Sequence, residues 1–120
     1  MARILFVDDD KPFLDVQVEF LTSIGHAVFT ASSGMNTLEM IENHQIDLLI
    51  TDIIMPDQDG LQTIREAHKK YPELKIIAMS GGGRLVSRDN LVIASKIGAN
   101  EVLDKPFTFE NLKLAIEKVL

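Results

Sequence analysis

The sequence predicts an α/β fold, a parallel five-stranded sheet with helices on both faces, and three observations carry that reading. Short apolar runs alternate with segments of helical periodicity along the chain, the runs are continuous as strands buried on both faces must be, and turn-forming residues separate them. With 120 residues the chain can bury one core but not two, so a single domain over 1–120 with no internal boundary is expected.

Arg3-Ile4-Leu5-Phe6-Val7 is a compact apolar run that ends abruptly in Asp8-Asp9-Asp10, which suits a buried first strand. Phe13, Phe20, Leu21 and Ile24 then recur at helical spacing, and Gly25 follows where a helix end favours positive φ. His26 to Thr30 reads as the second strand, and Ser33 to His44 as a helix carrying Met35, Leu38 and Ile41. Asp47-Leu48-Leu49-Ile50-Thr51 is the most apolar strand, and after a Pro/Asp/Gly turn Leu61, Ile64, His68 and Tyr71 mark a third helix. Leu74 to Met79 is the fourth strand, Leu91 to Ile97 a helix stopped by Gly98, and Glu101-Val102-Leu103 a short fifth strand. Phe109, Leu112, Ile116 and Val119 mark the last helix, which Thr108 can cap. Such alternation implies right-handed crossovers and a three-layer, doubly wound sheet.

Composition narrows the function. A net charge of −6 argues against direct nucleic-acid binding by this domain. The absence of cysteine excludes disulfides, thiolate chemistry and soft-metal sites, so any metal must have oxygen or imidazole ligands. No apolar run is long enough for a membrane span or a signal segment, and a cytoplasmic location is expected.

Open parallel sheets bind ligands at the carboxyl ends of their strands, where strand order reverses. The residues found there are Asp8, Asp9 and Asp10 after the first strand, Asp52 after the third, Ser80 after the fourth and Lys105 after the fifth. If the strand order is 2-1-3-4-5, the first and third strands are neighbours and Asp8, Asp9 and Asp52 converge. Clustered carboxylates repel one another, so such a site either raises a carboxyl pKa or recruits a cation. All-oxygen ligands favour Mg²⁺ or Mn²⁺ over zinc, and a partly hydrated Mg²⁺ keeps positions open for phosphate oxygens. Carboxylates accept phosphoryl groups, and Lys105 and Ser80 supply the cation and the hydroxyl that such chemistry uses.

Val7-Asp8-Asp9, the stretch from Thr51-Asp52-Ile53-Ile54-Met55-Pro56 through Asp57-Gln58-Asp59-Gly60, Ser80-Gly81, and Asp104-Lys105-Pro106-Phe107 together resemble the receiver domains of two-component response regulators. The resemblance covers essentially the whole chain, and it is the order and spacing of the motifs that make it specific. It implies a flavodoxin-like fold in which Asp52 takes a phosphoryl group from a histidine kinase or histidine phosphotransfer protein. It further implies that Asp8, Asp9, Asp52 and the backbone carbonyl of Ile54 bind Mg²⁺, with Asp8 acting largely through water. Lys105 then contacts the phosphoryl group, Ser80 moves to bond with it, and Lys105-Pro106 is cis. Slow loss of the phosphoryl group, an output domain or effector protein, and a phosphorylation-linked dimer accompany the same resemblance.

Two features depart from the family pattern. Val102 stands where an aromatic residue is usual, three positions before the lysine, and the stretch from Ser80 to Lys105 is longer than is typical, with Gly81-Gly82-Gly83 suggesting a mobile loop. Other polar residues have plainer roles. Asp10 is expected to cap the first helix with Pro12 in its first turn, Asp57 and Asp59 to form a turn and cap, and Lys69-Lys70 to lie on a solvated face. His26, His44 and His68 are scattered, and Met35, Met40, Met55 and Met79 suit core positions. Two readings compete with the receiver: a phosphohydrolase using Asp8 as nucleophile and Asp10 as acid/base, and an FMN carrier, disfavoured by an acidic switch point that repels phosphate.

Overall fold

The structure is a computed structural model that describes residues 1–53, 60–80 and 87–120, and the side chains of 87–91 are not described. Ile54, Met55, Asp57, Asp59 and Gly81 to Gly83 therefore lie outside the described residues, together with the expectations placed on them. Strands and helices alternate in the order β1 (Arg3–Val7), α1 (Lys11–Ser23), β2 (Ala27–Ala31), α2 (Thr37–His44), β3 (Leu48–Asp52), α3 (Gly60–Lys70), β4 (Lys75–Ser80), α4 (Ser87–Ile97), β5 (Glu101–Asp104) and α5 (Phe109–Val119). All strand pairs are parallel and the sheet order is β2-β1-β3-β4-β5, the doubly wound order expected. No helix among the described residues is long and apolar enough to cross a membrane.

Continuous apolar strands work here because each face of the sheet has its own helical layer. Leu5, Val7, Leu49, Ile76 and Ala78 pack with Ile41, Ile64, Ala67 and Ala94 of α2, α3 and α4. Their neighbours Ile4, Phe6, Leu48, Ile50, Ile77 and Met79 pack on the opposite face with Leu14 and Leu21 of α1 and Leu112, Ala115 and Ile116 of α5. Alternation of side chains along each strand thus feeds both cores, each fully buried Leu or Ile contributing roughly 1.5–3 kcal/mol.

Helix ends follow the chemistry of their residues. Asp10 caps α1 by accepting from the Phe13 N–H, with Pro12 in the first turn, and Thr108 caps α5 by accepting from the Asn111 N–H. Gly25 and Gly98, both at positive φ, leave α1 and α4.

Several boundaries differ from the sequence reading. α2 begins at Thr37 rather than Ser33: the Ser33 hydroxyl accepts from the Met35 N–H in a local turn, and Met35 is two-thirds exposed instead of buried in the core. β2 starts after His26, whose N–H closes α1 on the Leu21 carbonyl, so that residue belongs to the turn. β3 starts after Asp47, whose carboxylate accepts from the Arg3 N–H, and runs one residue further, to Asp52. α4 extends back to Ser87, through a polar turn with no apolar periodicity to reveal it.

Gly60 fixes the approach of α3 to the end of β3. A Cβ at this position would lie 2.3 Å from the Asp52 carbonyl oxygen and 2.4 Å from the Ile53 Cα, both backbone atoms that cannot swing aside. Gly60→Ala is expected to destabilise the fold by about 2 kcal/mol, the scale of overpacking, as measured by urea denaturation. An unchanged midpoint would show that the junction yields freely.

Candidate functional site

Strand order brings the carboxyl ends of β1, β3, β4 and β5 to one edge of the sheet. Asp8 follows β1 directly and extends its ladder, its N–H donating to the Ala31 carbonyl at 3.1 Å. Asp52 is the last residue of β3, in register with Met79, and Ser80 ends β4. Lys105 follows β5, and its N–H donates to the Ser80 carbonyl at 2.8 Å, tying the lysine and hydroxyl residues together. The Lys105-Pro106 bond is cis, as the resemblance implies.

The three acids after β1 have different environments. Asp8 is fully buried, Asp9 is exposed, and Asp10 turns outward as the α1 cap. Asp8 Oδ1 accepts from the Asp10 N–H at 2.9 Å, and Asp8 Oδ2 accepts from Lys105 Nζ. The same Nζ donates to Asp52 Oδ2 at 2.8 Å, so one ammonium bridges two buried carboxylates. The Nζ also lies 4.5 Å from the centre of the Phe13 ring.

Asp8, Asp9 and Asp52 each offer an oxygen within 4.8 Å of the others, so the expected convergence is present. With all groups ionised, three carboxylates and one ammonium leave a charge of −2 at this edge. That charge and an all-oxygen donor set fit a hard divalent cation, with exposed Asp9 on the solvent side. Ser80 is fully buried, and its Oγ has no hydrogen-bond partner among the described residues. A buried hydroxyl without a partner is costly, so this Oγ is available for a further hydrogen bond.

Burial pushes the Asp8 carboxyl above its ordinary value, with the Lys105 hydrogen bond only partly opposing it. Burial alone would lower the Lys105 pKa, but its hydrogen bonds to Asp52 and Asp8 outweigh this and hold it above the ordinary lysine value. The lysine is a fixed cation at neutral pH.

The remaining polar residues behave structurally. His26 Nδ1 accepts from the Ala2 N–H, His44 stacks on Phe29, and His68 packs against Gly98, at three separate places. Lys69 and Lys70 are exposed. Val102 is half-buried against the core under α2, α3 and α4, opposite Ala78. Both oxygens of Asp8 are engaged and Asp10 is a cap, an arrangement that does not favour the phosphohydrolase reading. The contact between Phe13 and Lys105 was not foreseen; Phe13 reads in sequence simply as an apolar residue of the first helix.

A doubly wound parallel sheet in this order, with acids, a lysine and a hydroxyl gathered at its carboxyl edge, defines the class of flavodoxin-like receivers. The pattern of the response regulator receiver domain matches residues 4–117, and the chain belongs to that family, a signalling phosphoacceptor domain of two-component systems rather than a classical enzyme. It is 37% identical to the DNA-binding transcriptional regulator NtrC of Azospirillum brasilense, over 99% of this chain and 24% of that protein. The chain spans only 12–51% of the length of the curated relatives first matched. Among solved structures, a response regulator receiver domain protein from Clostridium thermocellum superposes with a TM-score of 0.90 at 36% identity, covering 99% of this chain and 94% of that one. The response regulator TrrA from Thermotoga maritima, solved with Mg²⁺ and BeF, superposes with a TM-score of 0.86 at 34% identity over the whole of both chains.

The Asp8 shift has a definite linkage. The folded protein holds the Asp8 proton more tightly than the unfolded chain does, so ionised Asp8 lowers stability at neutral pH. This deficit shrinks as pH falls through the folded value and is gone below the ordinary 3.8. Lys105 is opposite in sense: its contribution is complete below 10.5 and is lost as pH rises through its folded value. Urea denaturation in chelator is expected to show Asp8→Asn more stable than the parent at neutral pH, with the gap narrowing towards pH 3.8. A gap that does not change with pH would contradict the assignment.

Proposed function

We propose that residues 1–120 form one receiver unit in which Asp52 is the phosphoacceptor. The observation that carries this reading is the convergence of the Asp8, Asp9 and Asp52 carboxylates with the Lys105 ammonium, at the edge where the buried Ser80 hydroxyl has no partner among the described residues. A carboxylate oxygen of Asp52 attacks the phosphorus of a phospho-histidine on a histidine kinase or histidine phosphotransfer protein. The new O–P bond forms as the P–N bond breaks, and its electron pair stays on the imidazole nitrogen, which takes a proton from water. Lys105, already bonded to Asp52, follows the growing negative charge onto a phosphoryl oxygen, and the Ser80 hydroxyl donates to another.

Asp8, Asp9 and Asp52 hold Mg²⁺, or Mn²⁺ in its place, and the Ile54 carbonyl assigned to the same set lies outside the described residues. When bound, the cation neutralises the cluster and offers positions to phosphoryl oxygens. The Mg²⁺ and BeF in the solved TrrA structure support this assignment. The acyl phosphate hydrolyses slowly on its own. The domain acts in the cytoplasm, without touching nucleic acid directly, and controls an attached output domain or effector protein, with a phosphorylation-linked dimer as one form of response. NtrC and the sensor kinase CckA of Brucella abortus, both much longer than this chain, support a receiver that works within a larger signalling protein.

Labelling with acetyl phosphate tests the chemistry. Asp52 is expected to be phosphorylated only with Mg²⁺ or Mn²⁺ present, and Asp52→Asn to lose the label altogether. Label that persists in Asp52→Asn, or that is indifferent to chelator, would sink the assignment.

The response surface is α4, β5 and α5, where Val92, Ile93 and Leu114 are exposed apolar side chains. Val102 is too short and too stiff at χ1 to signal by swinging between exposed and buried rotamers, so the change passes through Ser80 and the chain that follows it. Beryllofluoride in Mg²⁺ is expected to raise hydrogen-exchange protection most in α4. A response confined to α1 would move the partner surface to the other side of the sheet.

A further inference from the structure

We propose that Phe13 is a positioning residue for the phosphotransfer reaction, holding the Lys105 ammonium at the reacting edge through the face of its ring. The inference rests on the reading of Lys105 as the cation that meets the phosphoryl group. Lys105 Nζ lies over the Phe13 ring, 4.5 Å from its centre, well inside the range of a cation–π attraction.

The ring is itself held. It packs edge-on against Phe6 of β1 at 6.1 Å and against Phe107, just beyond the cis Lys105-Pro106 bond, at 5.8 Å. Its backbone N–H is bound by the Asp10 cap, whose own N–H donates to Asp8, so α1 is registered on the acid cluster at the position that presents the ring.

An ammonium has three N–H donors, and two of those on Lys105 go to Asp8 and Asp52. Both carboxylates change during the reaction. Asp52 exchanges its carboxylate charge for that of the phosphoryl group as the acyl phosphate forms, and Asp8 belongs to the proposed cation-binding set. Among the described contacts of the ammonium, the Phe13 ring is the one that keeps its charge distribution throughout. It shields one side of the ammonium from water, and its attraction strengthens with that desolvation. Lys105 therefore stays in place while its hydrogen-bond partners are exchanged, instead of swinging out on its flexible stem.

The test separates the ring's electrostatics from its volume. Phenylalanine bearing one, two and three fluorine atoms is placed at position 13, which drains the ring face of negative charge with little change in shape, and Phe13→Leu is made alongside. With acetyl phosphate at saturation, the phosphorylation rate constant is expected to fall stepwise along the fluorinated series, reaching a loss of roughly tenfold, or ~1.4 kcal/mol, when the attraction is gone. Mg²⁺ affinity is expected to stay within about twofold, since Phe13 supplies no oxygen ligand. Proton NMR of the Lys105 ε-methylene supplies a signature: ring-current shielding present in the parent and in the fluorinated proteins and absent in Phe13→Leu. A rate indifferent to fluorination, in a protein whose Asp52→Asn variant takes no label, overturns the role of Phe13 and leaves the phosphoacceptor standing. Label on Asp52→Asn overturns the phosphoacceptor reading itself. If Phe13→Leu fails to fold, the fluorinated series still decides the question.

Discussion

Two buried carboxylates share one ammonium at the edge of this sheet, and the rest of the site is arranged around that contact. Asp8 and Asp52 are brought side by side by the pairing of β1 with β3, in a place where water cannot screen their repulsion. Lys105 arrives from β5, two strands away from β3, and its long apolar stem allows the charge to reach both acids. Ion pairs buried in this way are rarely retained for stability, because the cost of removing three charged groups from water rivals the attraction regained. The arrangement makes better sense as a site prepared for ligands: with Asp9 included, an excess of negative charge remains, and it faces solvent where a cation can enter.

Precision at this edge comes from the sheet beneath it. β1, β3 and β4 are buried on both faces, so the residues at their ends are carried by a stiff platform with a helical layer on each side. The Lys105 N–H on the Ser80 carbonyl continues the ladder one step past β5, so the lysine and the hydroxyl residue keep a fixed spacing. Within this rigid frame, Ser80 Oγ is a buried group of the site without a hydrogen-bond partner among the described residues.

The fold was legible because the strands are continuous apolar runs, and each candidate residue could be found by looking where a run ended. Asp8, Asp9, Asp52, Ser80 and Lys105 all lie on that edge. Errors arose where local hydrogen bonding competed with periodicity. Ser33 invited a helix start but spent its hydroxyl on a turn, and His26 looked like strand but closed the preceding helix. The polar first turn of α4 carried no periodic signal at all. The seating of Lys105 on Phe13 was illegible for a different reason: no local pattern records which aromatic will meet a residue so distant in the chain.

The bond between Asp8 and Lys105 joins residues 97 positions apart, from the end of the first strand to the end of the fifth. During synthesis, β1 and β3 are made well before the lysine that neutralises their acids. Until the fifth strand is released, the two carboxylates must face each other in water or hold their strands apart. Closing so long a loop is a slow search, and it is driven by apolar packing of the late β5 and α5 segments rather than by the charges they deliver. The acidic edge is thus complete only once β5 has been made, and a chain made as far as β3 carries Asp8 and Asp52 without the ammonium that bridges them.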